Sequence, residues 1–119
     1  METGTGIAYS TAEDVERLWI NPGQEYSHRV VTTRRQGAQR LSVHVTTYAP
    51  GFEAHVEGDG HYEVVMFCIS GGAAVTPAGE PALHMAPGGA LYLPLEFSYD
   101  LVIGADGMTV VVACTPPKE

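Results

Sequence analysis

Five ionisable side chains occupy alternate positions between residues 55 and 63. They are two histidines and three acids: His55, Glu57, Asp59, His61 and Glu63. Successive side chains of a β-strand point to opposite faces, so an uninterrupted strand would place all five on one face. Gly58 and Gly60 interrupt the segment, and only His61 and Glu63 follow the second glycine. We therefore predict that His61 and Glu63 lie together.

Two kinds of chemistry suit histidine beside carboxylates. Imidazole and carboxylate ligands bind divalent zinc, iron, nickel or manganese. On this interpretation the metal ligands are His55, His61 and Glu63, with Glu57 as a further candidate. A metal-free pair of His61 and Glu63 in an apolar cavity would instead act as a general acid and base. The residues leave both forms of the site open.

The distribution of charge limits the partners of such a site. The chain carries 14 acidic and 6 basic residues, for a net charge of −8, and residues 41 to 117 contain eight acids and no Lys or Arg. Nucleic-acid binding needs a basic face that neutralises phosphates, so this class of partner is excluded. The acids either keep a small protein soluble or surround a pocket for a metal cation, an amine or a neutral polar molecule. We expect a small-molecule substrate.

Length and composition indicate one soluble domain. A chain of 119 residues, 45% hydrophobic and 17% charged, is long enough for one core and too short for two. No apolar run approaches the roughly 20 residues of a membrane helix, and no signal-peptide pattern opens the chain. We expect no membrane partner and a cytoplasmic location. Cys68 and Cys114 lie in apolar runs without a CxxC spacing, which predicts reduced core thiols.

The chain divides into two regions that differ in their pattern of apolar residues, and the second contains the candidate site residues. Residues 1 to 27 are interpreted as a leader and a short helix over about 11–19, because a capping-box spacing starts at Ser10 and apolar residues recur as far as Trp19. We expect Trp19 to cover one end of the core. Residues 28 to 119 form the β-rich domain. Its predicted strands are 28–34, 40–48, 61–70, 72–77, 82–85, 90–94, 97–103 and 108–114. This series predicts an all-β fold, an antiparallel barrel or jelly roll.

The run from His61 to Ile69 is apolar on both faces. Its odd positions are His61, Glu63, Val65, Phe67 and Ile69, and its even positions are Tyr62, Val64, Met66 and Cys68. We predict that the odd positions face the barrel interior, which places His61 and Glu63 near its mouth. The other face then needs a cover, and a second copy of the chain supplies one. The sequence therefore predicts a homodimer.

The spacing of glycine and proline over residues 41 to 115 resembles that of a small single-domain cupin. The first cupin motif reads glycine, five residues, HxH, three or four residues, glutamate and, about six residues later, glycine; the second reads glycine, five residues, PxG, two residues and histidine. The positions that match are Gly51, Glu63, Gly71, Gly88 and Pro94. The three histidine positions hold Glu57, Asp59 and Tyr99, so Glu63 alone keeps the residue type of a cupin metal ligand.

The resemblance also implies a class of function. The tract that runs from residues 48–51 to the double glycine at 71–72, and the tail 106–112, are similar in style to cupins of actinobacterial natural-product pathways, including small polyketide cyclases. This implies an enzyme that cyclises, dehydrates or isomerises a natural-product intermediate by acid–base or metal-assisted chemistry. The candidate catalytic residues are Glu63, His61 and Tyr99, whose phenol either donates a hydrogen bond to an oxyanion, ligates a metal weakly or fills the barrel end. The alternatives are a metal-dependent oxygenase or lyase with rearranged ligands, and a non-catalytic small-molecule-binding cupin.

Overall fold

A computed structural model describes residues 6 to 119. The strands are β1 (Leu18–Asn21), β2 (Glu25–Val31), β3 (Ser42–Tyr48), β4 (Glu53–Glu57), β5 (Glu63–Pro77), β6 (Leu83–Met85), β7 (Ala90–Leu93) and β8 (Ser98–Thr115). A 3-10 turn spans Ala12–Asp14, and a one-turn helix, α1, spans Thr33–Gln36. Every strand pairing is antiparallel, which confirms the predicted all-β jelly roll. Residues 6 to 119 contain no helix that is long and apolar enough to span a membrane.

The strands form two facing layers that share β5 and β8. The first layer has the order β1-β2-β3-β8-β5-β7 and uses the second half of β8 and the first half of β5. The second layer has the order β4-β8-β5-β6 and uses the other two halves. The core lies between the layers, where Met66, Cys68 and Val110 of the first are buried together with Leu101 and Ile103 of the second.

The two long strands pass from one layer to the other at a pair of glycines. Gly71 of β5 and Gly107 of β8 both have φ of 72°, a left-handed conformation that favours glycine. A Cβ atom on Gly71 would overlap the carbonyl oxygen of Gly107. The register of the β5–β8 ladder shifts at this point, so the bend depends on backbones that approach too closely for any side chain.

The predicted faces of the run from His61 to Ile69 are wrong. The even positions face the interior: Met66 is 4% exposed and Cys68 is fully buried, whereas Phe67 is 42% exposed and Val65 and Ile69 are similarly open. The side chains of His61 and Glu63 are exposed too. Because both faces of this run are apolar, its composition does not distinguish them, and a shift of one residue exchanges every side chain.

The N-terminal region also differs from the prediction. The helix expected over 11–19 is reduced to the Ala12–Asp14 turn, and the chain then enters the sheet as β1, ten residues before the predicted start at residue 28. Trp19 does not cover the core, because it is 44% exposed on β1, edge-on to Tyr26. Residues 1 to 5 of the predicted leader lie outside the described residues. Cys68 and Cys114 are buried and unpaired with each other, as predicted.

Candidate functional site

The interior of the fold has one polar wall, which β3 supplies. The side chains of β3 that point inward are Ser42, His44, Thr46 and Tyr48, and all four are buried. The residues between them, including Val43 and Val45, point outward. This strand therefore reverses the usual arrangement of apolar residues inside and polar residues outside. Buried polar groups need hydrogen-bond partners, and these have them within the protein: Ser42 and His44 bond the backbone of Lys118, and Thr46 bonds the hydroxyl of Ser27.

A cavity of about 380 Å³ opens between the two layers next to Tyr99, and we call it the Tyr99 cavity. Apolar side chains from both layers form most of its wall, among them Val75 and Leu83 on one side and Leu91 and Leu93 on the other. Its polar lining residues are Glu80, Tyr92, Glu96, Ser98 and Tyr99. An apolar cleft with a few convergent polar groups is the usual form of a small-molecule site.

Tyr99 is the buried polar group of this cavity. Its side chain is 5% exposed, its ring stacks on Phe97 at 5.9 Å, and its hydroxyl donates to the thioether sulfur of Met66 at 3.9 Å. A thioether is a weak acceptor, so the hydroxyl retains the capacity to donate to a stronger one. Burial raises the pKa of Tyr99 to about 12. The phenol therefore stays protonated at neutral pH and acts as a hydrogen-bond donor.

A second cavity, of about 370 Å³, lies on the other side of Phe97, and we call it the Lys118 cavity. Its lining residues are Glu57, Gly58, Asp59, Tyr62, Val64, Phe97, Cys114 and Lys118. Phe97 lines both cavities and is held closely, because a Cβ atom on Gly58 would lie 2.5 Å from its ring. Burial raises the pKa of the Cys114 thiol, which is therefore neutral at pH 7.

Two of the predicted metal ligands, His55 and Glu57, lie on the exposed outer face of β4. His55 Nδ1 is 2.8 Å from Asp100 Oδ1, and His55 Nε2 is 3.4 Å from Glu57 Oε2. The hydrogen bond to Asp100 raises the pKa of His55. Glu57 also reaches the rim of the Lys118 cavity, but the inward residue of this strand is Val56, opposite Tyr99.

His61 and Glu63 have separate partners. The backbone N–H of His61 donates to Asp59 Oδ1 at 2.9 Å, and its ring contacts the edge of the Tyr62 ring. The carboxylate of Glu63 accepts a hydrogen bond from the hydroxyl of Tyr92. Within residues 6 to 119 no hydrogen bond joins His61 to Glu63, and neither residue lines the Tyr99 cavity or the Lys118 cavity. Glu63 lines a more open pocket of about 600 Å³ together with Tyr92 and Glu96, whereas Tyr99 lines the cavity between the two layers.

The residues present do not fit a divalent metal ion. In the part of the chain that the structure describes, no three His, Cys, Asp or Glu side chains are grouped as metal ligands. His55 points outward with Asp100, Glu63 pairs with Tyr92, and Tyr99 faces a thioether. The predicted ligand set of His55, His61, Glu63 and Glu57 is thus divided between the outer face of β4 and the start of β5.

The sequence does not predict whether His44 faces the interior or the exterior of its strand, and it predicts no role for Lys118. His44 is buried on β3, and its Nε2 donates to the carbonyl oxygen of Lys118 at 3.0 Å. Burial lowers the pKa of His44, so the ring is neutral and carries its proton on Nε2. The alternation of polar and apolar residues over 42–48 was the available signal for His44. No local signal exists for Lys118, because its hydrogen-bond partners are more than 70 residues away in the sequence.

Comparison with known proteins identifies the fold. An RmlC-like cupin from Shewanella frigidimarina superposes with a TM-score of 0.75 and 16% identity, over 93% of this chain and 92% of that one. The fold is that of a cupin. Ectoine synthase from P. lautus (TM-score 0.78, 20% identity, 94% and 80% coverage) and the polyketide cyclase RemF from Streptomyces resistomycificus (0.77, 17%, 93% and 82%) share it. No family model and no curated protein matches the sequence.

Proposed function

We propose that this cupin-fold protein is an enzyme that acts on a carbonyl-containing small molecule by acid–base chemistry in the Tyr99 cavity. The observation that carries the proposal is Tyr99, a buried residue that lines an apolar cavity of about 380 Å³ and whose hydroxyl donates to a thioether. A donor in such a place stabilises negative charge that develops on a substrate oxygen.

The cavity supplies a carboxylate base as well as a donor. Glu96 and Glu80 line it, and no Lys or Arg does. A carboxylate removes a proton from the carbon beside a carbonyl, and the C–H electron pair moves into a carbon–carbon double bond while the carbonyl oxygen becomes an oxyanion. Tyr99 donates its hydrogen bond to that oxygen and keeps its own proton, because its pKa is about 12. We assign the base to Glu96, three residues before Tyr99.

The proposed substrate is an intermediate of natural-product synthesis. Enolisation of a ketone is the first step shared by cyclisation, dehydration and isomerisation of molecules that carry several carbonyls. RemF, which has the same fold, is a polyketide cyclase, and this supports the choice of substrate class. The apolar wall of Val75, Leu91 and Leu93 suits an aromatic or hydrocarbon body.

The test is exchange of the α-protons of phenylacetone for deuterium in D2O, followed by proton NMR. We expect the native protein to accelerate exchange above the buffer rate, and Tyr99→Phe to slow it by about 10²–10³-fold, the usual effect of removing one oxyanion donor. Tyr62→Phe, in the Lys118 cavity, is the matched control and keeps the native rate. Equal rates for the native protein and Tyr99→Phe contradict the proposal. Phenylacetone binding without accelerated exchange favours the second candidate, a non-catalytic small-molecule-binding cupin.

A further inference from the structure

The backbone of Lys118 is fixed across one end of the interior. Its N–H donates to Ser42 Oγ at 2.8 Å, and its carbonyl oxygen accepts from His44 Nε2 at 3.0 Å. Ser42 and His44 are both buried on β3. The next residue, Glu119, accepts hydrogen bonds from the backbone N–H groups of Thr33 and Arg34 at 3.0 Å each. Four hydrogen bonds therefore hold Lys118 in place before any ligand binds.

The side chain of Lys118 contributes the one basic group of the Lys118 cavity. Its Nζ lies 5.5 Å from the centre of the Tyr62 ring, close enough for a cation–π contact. Among residues 6 to 119 the ion pairs join His55 to Glu57 and to Asp100, and none includes Lys118. The ammonium group thus has a ring face as its neighbour, and none of the carboxylates of residues 6 to 119 lies within ion-pair distance of it.

Carboxylates line the same cavity. Asp59 accepts a hydrogen bond from the backbone of His61, and Glu57 contacts His55 from the outer side, so neither forms an ion pair with Lys118. Between these groups lie Tyr62, Val64 and the neutral thiol of Cys114. The cavity of about 370 Å³ therefore has an ammonium group and two carboxylates on walls that do not neutralise each other.

We propose that the Lys118 cavity binds a small zwitterion, a molecule of the amino-acid class with one carboxylate and one ammonium group. Its carboxylate pairs with Lys118, and its ammonium group pairs with Asp59 and Glu57. A simple anion would pair with Lys118 but would face two carboxylates, and a simple amine would face the Lys118 ammonium group. A zwitterion pairs with the ammonium group on one wall and with the carboxylates on the other. This site is separate from the reaction proposed for the Tyr99 cavity, although Phe97 lines both.

The experiment compares ligands that differ by one charge. 4-Aminobutyrate, butyrate and butylamine are titrated into the full-length protein, with binding followed by calorimetry and by backbone amide NMR. We expect 4-aminobutyrate to bind at least about tenfold more tightly than either single-charge analogue, which corresponds to about 1.4 kcal/mol. The amide signals of Asp59 and Tyr62 should move, and those of Val75 and Leu83, in the Tyr99 cavity, should stay.

Variants at residue 118 test whether the Lys118 ammonium group binds the carboxylate of the ligand. Lys118→Met removes the ammonium group and should weaken 4-aminobutyrate at least about tenfold, to the level of butylamine, whereas Lys118→Arg should retain binding. Arg40→Met, which removes an exposed base outside the cavity, is the matched control. Tyr99→Phe should leave zwitterion binding unchanged. The zwitterion titration and the exchange assay therefore test the two proposals separately, and either proposal can be contradicted without the other.

The series glycine, β-alanine, 4-aminobutyrate and 6-aminohexanoate then varies the distance between the charges. We expect one length to bind best. Failure of all four to bind overturns the proposal, as does equal binding of 4-aminobutyrate, butyrate and butylamine, or unchanged affinity in a folded Lys118→Met variant. Folding of each variant is checked by circular dichroism and thermal unfolding.

Discussion

His55 Nδ1 lies 2.8 Å from Oδ1 of Asp100, its direct partner across the β4–β8 ladder. The other ring nitrogen, Nε2, is 3.4 Å from both Ser98 Oγ and Glu57 Oε2. The order Ser98, His55, Asp100 is that of a hydrolase triad, but His55 and Asp100 are exposed on the outer face and Glu57 competes for Nε2. We therefore assign it no nucleophilic role. The physical consequence of the cluster is that the carboxylates of Asp100 and Glu57 favour the protonated form of His55 and raise its pKa.

The first prediction concerns that proton. The hydrogen bond to Asp100 is the largest influence on the pKa of His55, and together with the charges of Asp100 and Glu57 it outweighs desolvation and raises this pKa above its ordinary value of 6.5. An NMR titration of the ring should give a pKa above this value, and Asp100→Asn should lower it. Glu53→Gln, on the same strand, should leave it unchanged. A pKa that is the same in the native protein and Asp100→Asn contradicts the assignment.

The same shift fixes the sign of a pH effect on stability. Because the pKa of His55 is higher in the folded state than in the unfolded state, the folded state binds more protons between the two values. The contribution of His55 to stability is therefore complete below the unfolded pKa and is lost as the pH rises through the folded pKa. Urea unfolding of the native protein and Asp100→Asn at about pH 5.5 and pH 8.5 should give the larger difference at the lower pH.

The second prediction concerns the glycines at which β5 and β8 change layers. Gly71→Ala places a methyl group against the carbonyl oxygen of Gly107 at a φ of 72°, and we expect a loss of about 2–4 kcal/mol in the free energy of unfolding. Gly79→Ala is the control, because Gly79 has a similar φ but open space around it, and it should lose only about 1 kcal/mol. Urea unfolding measures both. Equal losses would mean that the close approach contributes nothing.

The fold was predictable because residue types within each turn are enough to predict that turn. Glycine and proline at Gly51, Pro77, Gly88 and Pro94 lie between the strands or at their ends, and turn chemistry depends only on neighbouring residues. The shared strands were harder to predict. Residues 61–70 and 72–77 belong to one bent strand, and the bend at Gly71 depends on Gly107, 36 positions away in the sequence.

The site was less predictable, because its position depends on which face of each strand is buried. Both faces of the first half of β5 are apolar, so the pattern does not predict which alternate residues face the interior. The prediction that the odd positions, with His61 and Glu63, face inward is wrong for this reason. On β3 the polar residues are inside, which reverses the usual inference from alternation. Lys118 is held by Ser42 and His44, and such a tertiary contact leaves no trace in local spacing. Tyr99 lies in a cavity wall, but its role there remains a prediction.

The third prediction separates two candidate carboxylates. Glu63 remains the prediction of the cupin spacing, and Glu96 is the base that the Tyr99 cavity favours. We expect Glu96→Gln to slow α-proton exchange of phenylacetone about 10²-fold or more, because an amide does not accept the proton. Glu63→Gln should keep most of the rate, since the exposed Glu63 carboxylate does not line the Tyr99 cavity and contacts it only through the hydroxyl of Tyr92. If Glu63→Gln alone greatly lowers the exchange rate, Glu63 is the catalytic carboxylate, as the sequence predicts, and the assignment of Glu96 is wrong.

The last prediction is the homodimer. The outer face of the first layer exposes large apolar side chains, Val65, Phe67 and Ile69 on β5 and Trp19 on β1, and exposed apolar surface is typical of an interface. We propose that a second copy of the chain covers it.

Light scattering should give about twice 12.7 kDa for the native protein. Phe67→Asp should yield monomers, because burying a charge in place of a ring that contributes about 1.5–3 kcal/mol per copy opposes association. Val102→Asp places the same charge on the outer face of the second layer, where Val102 is 43% exposed, and should leave the mass unchanged. A native mass of one chain contradicts the homodimer, and dissociation by Val102→Asp instead of Phe67→Asp would place the interface on the second layer.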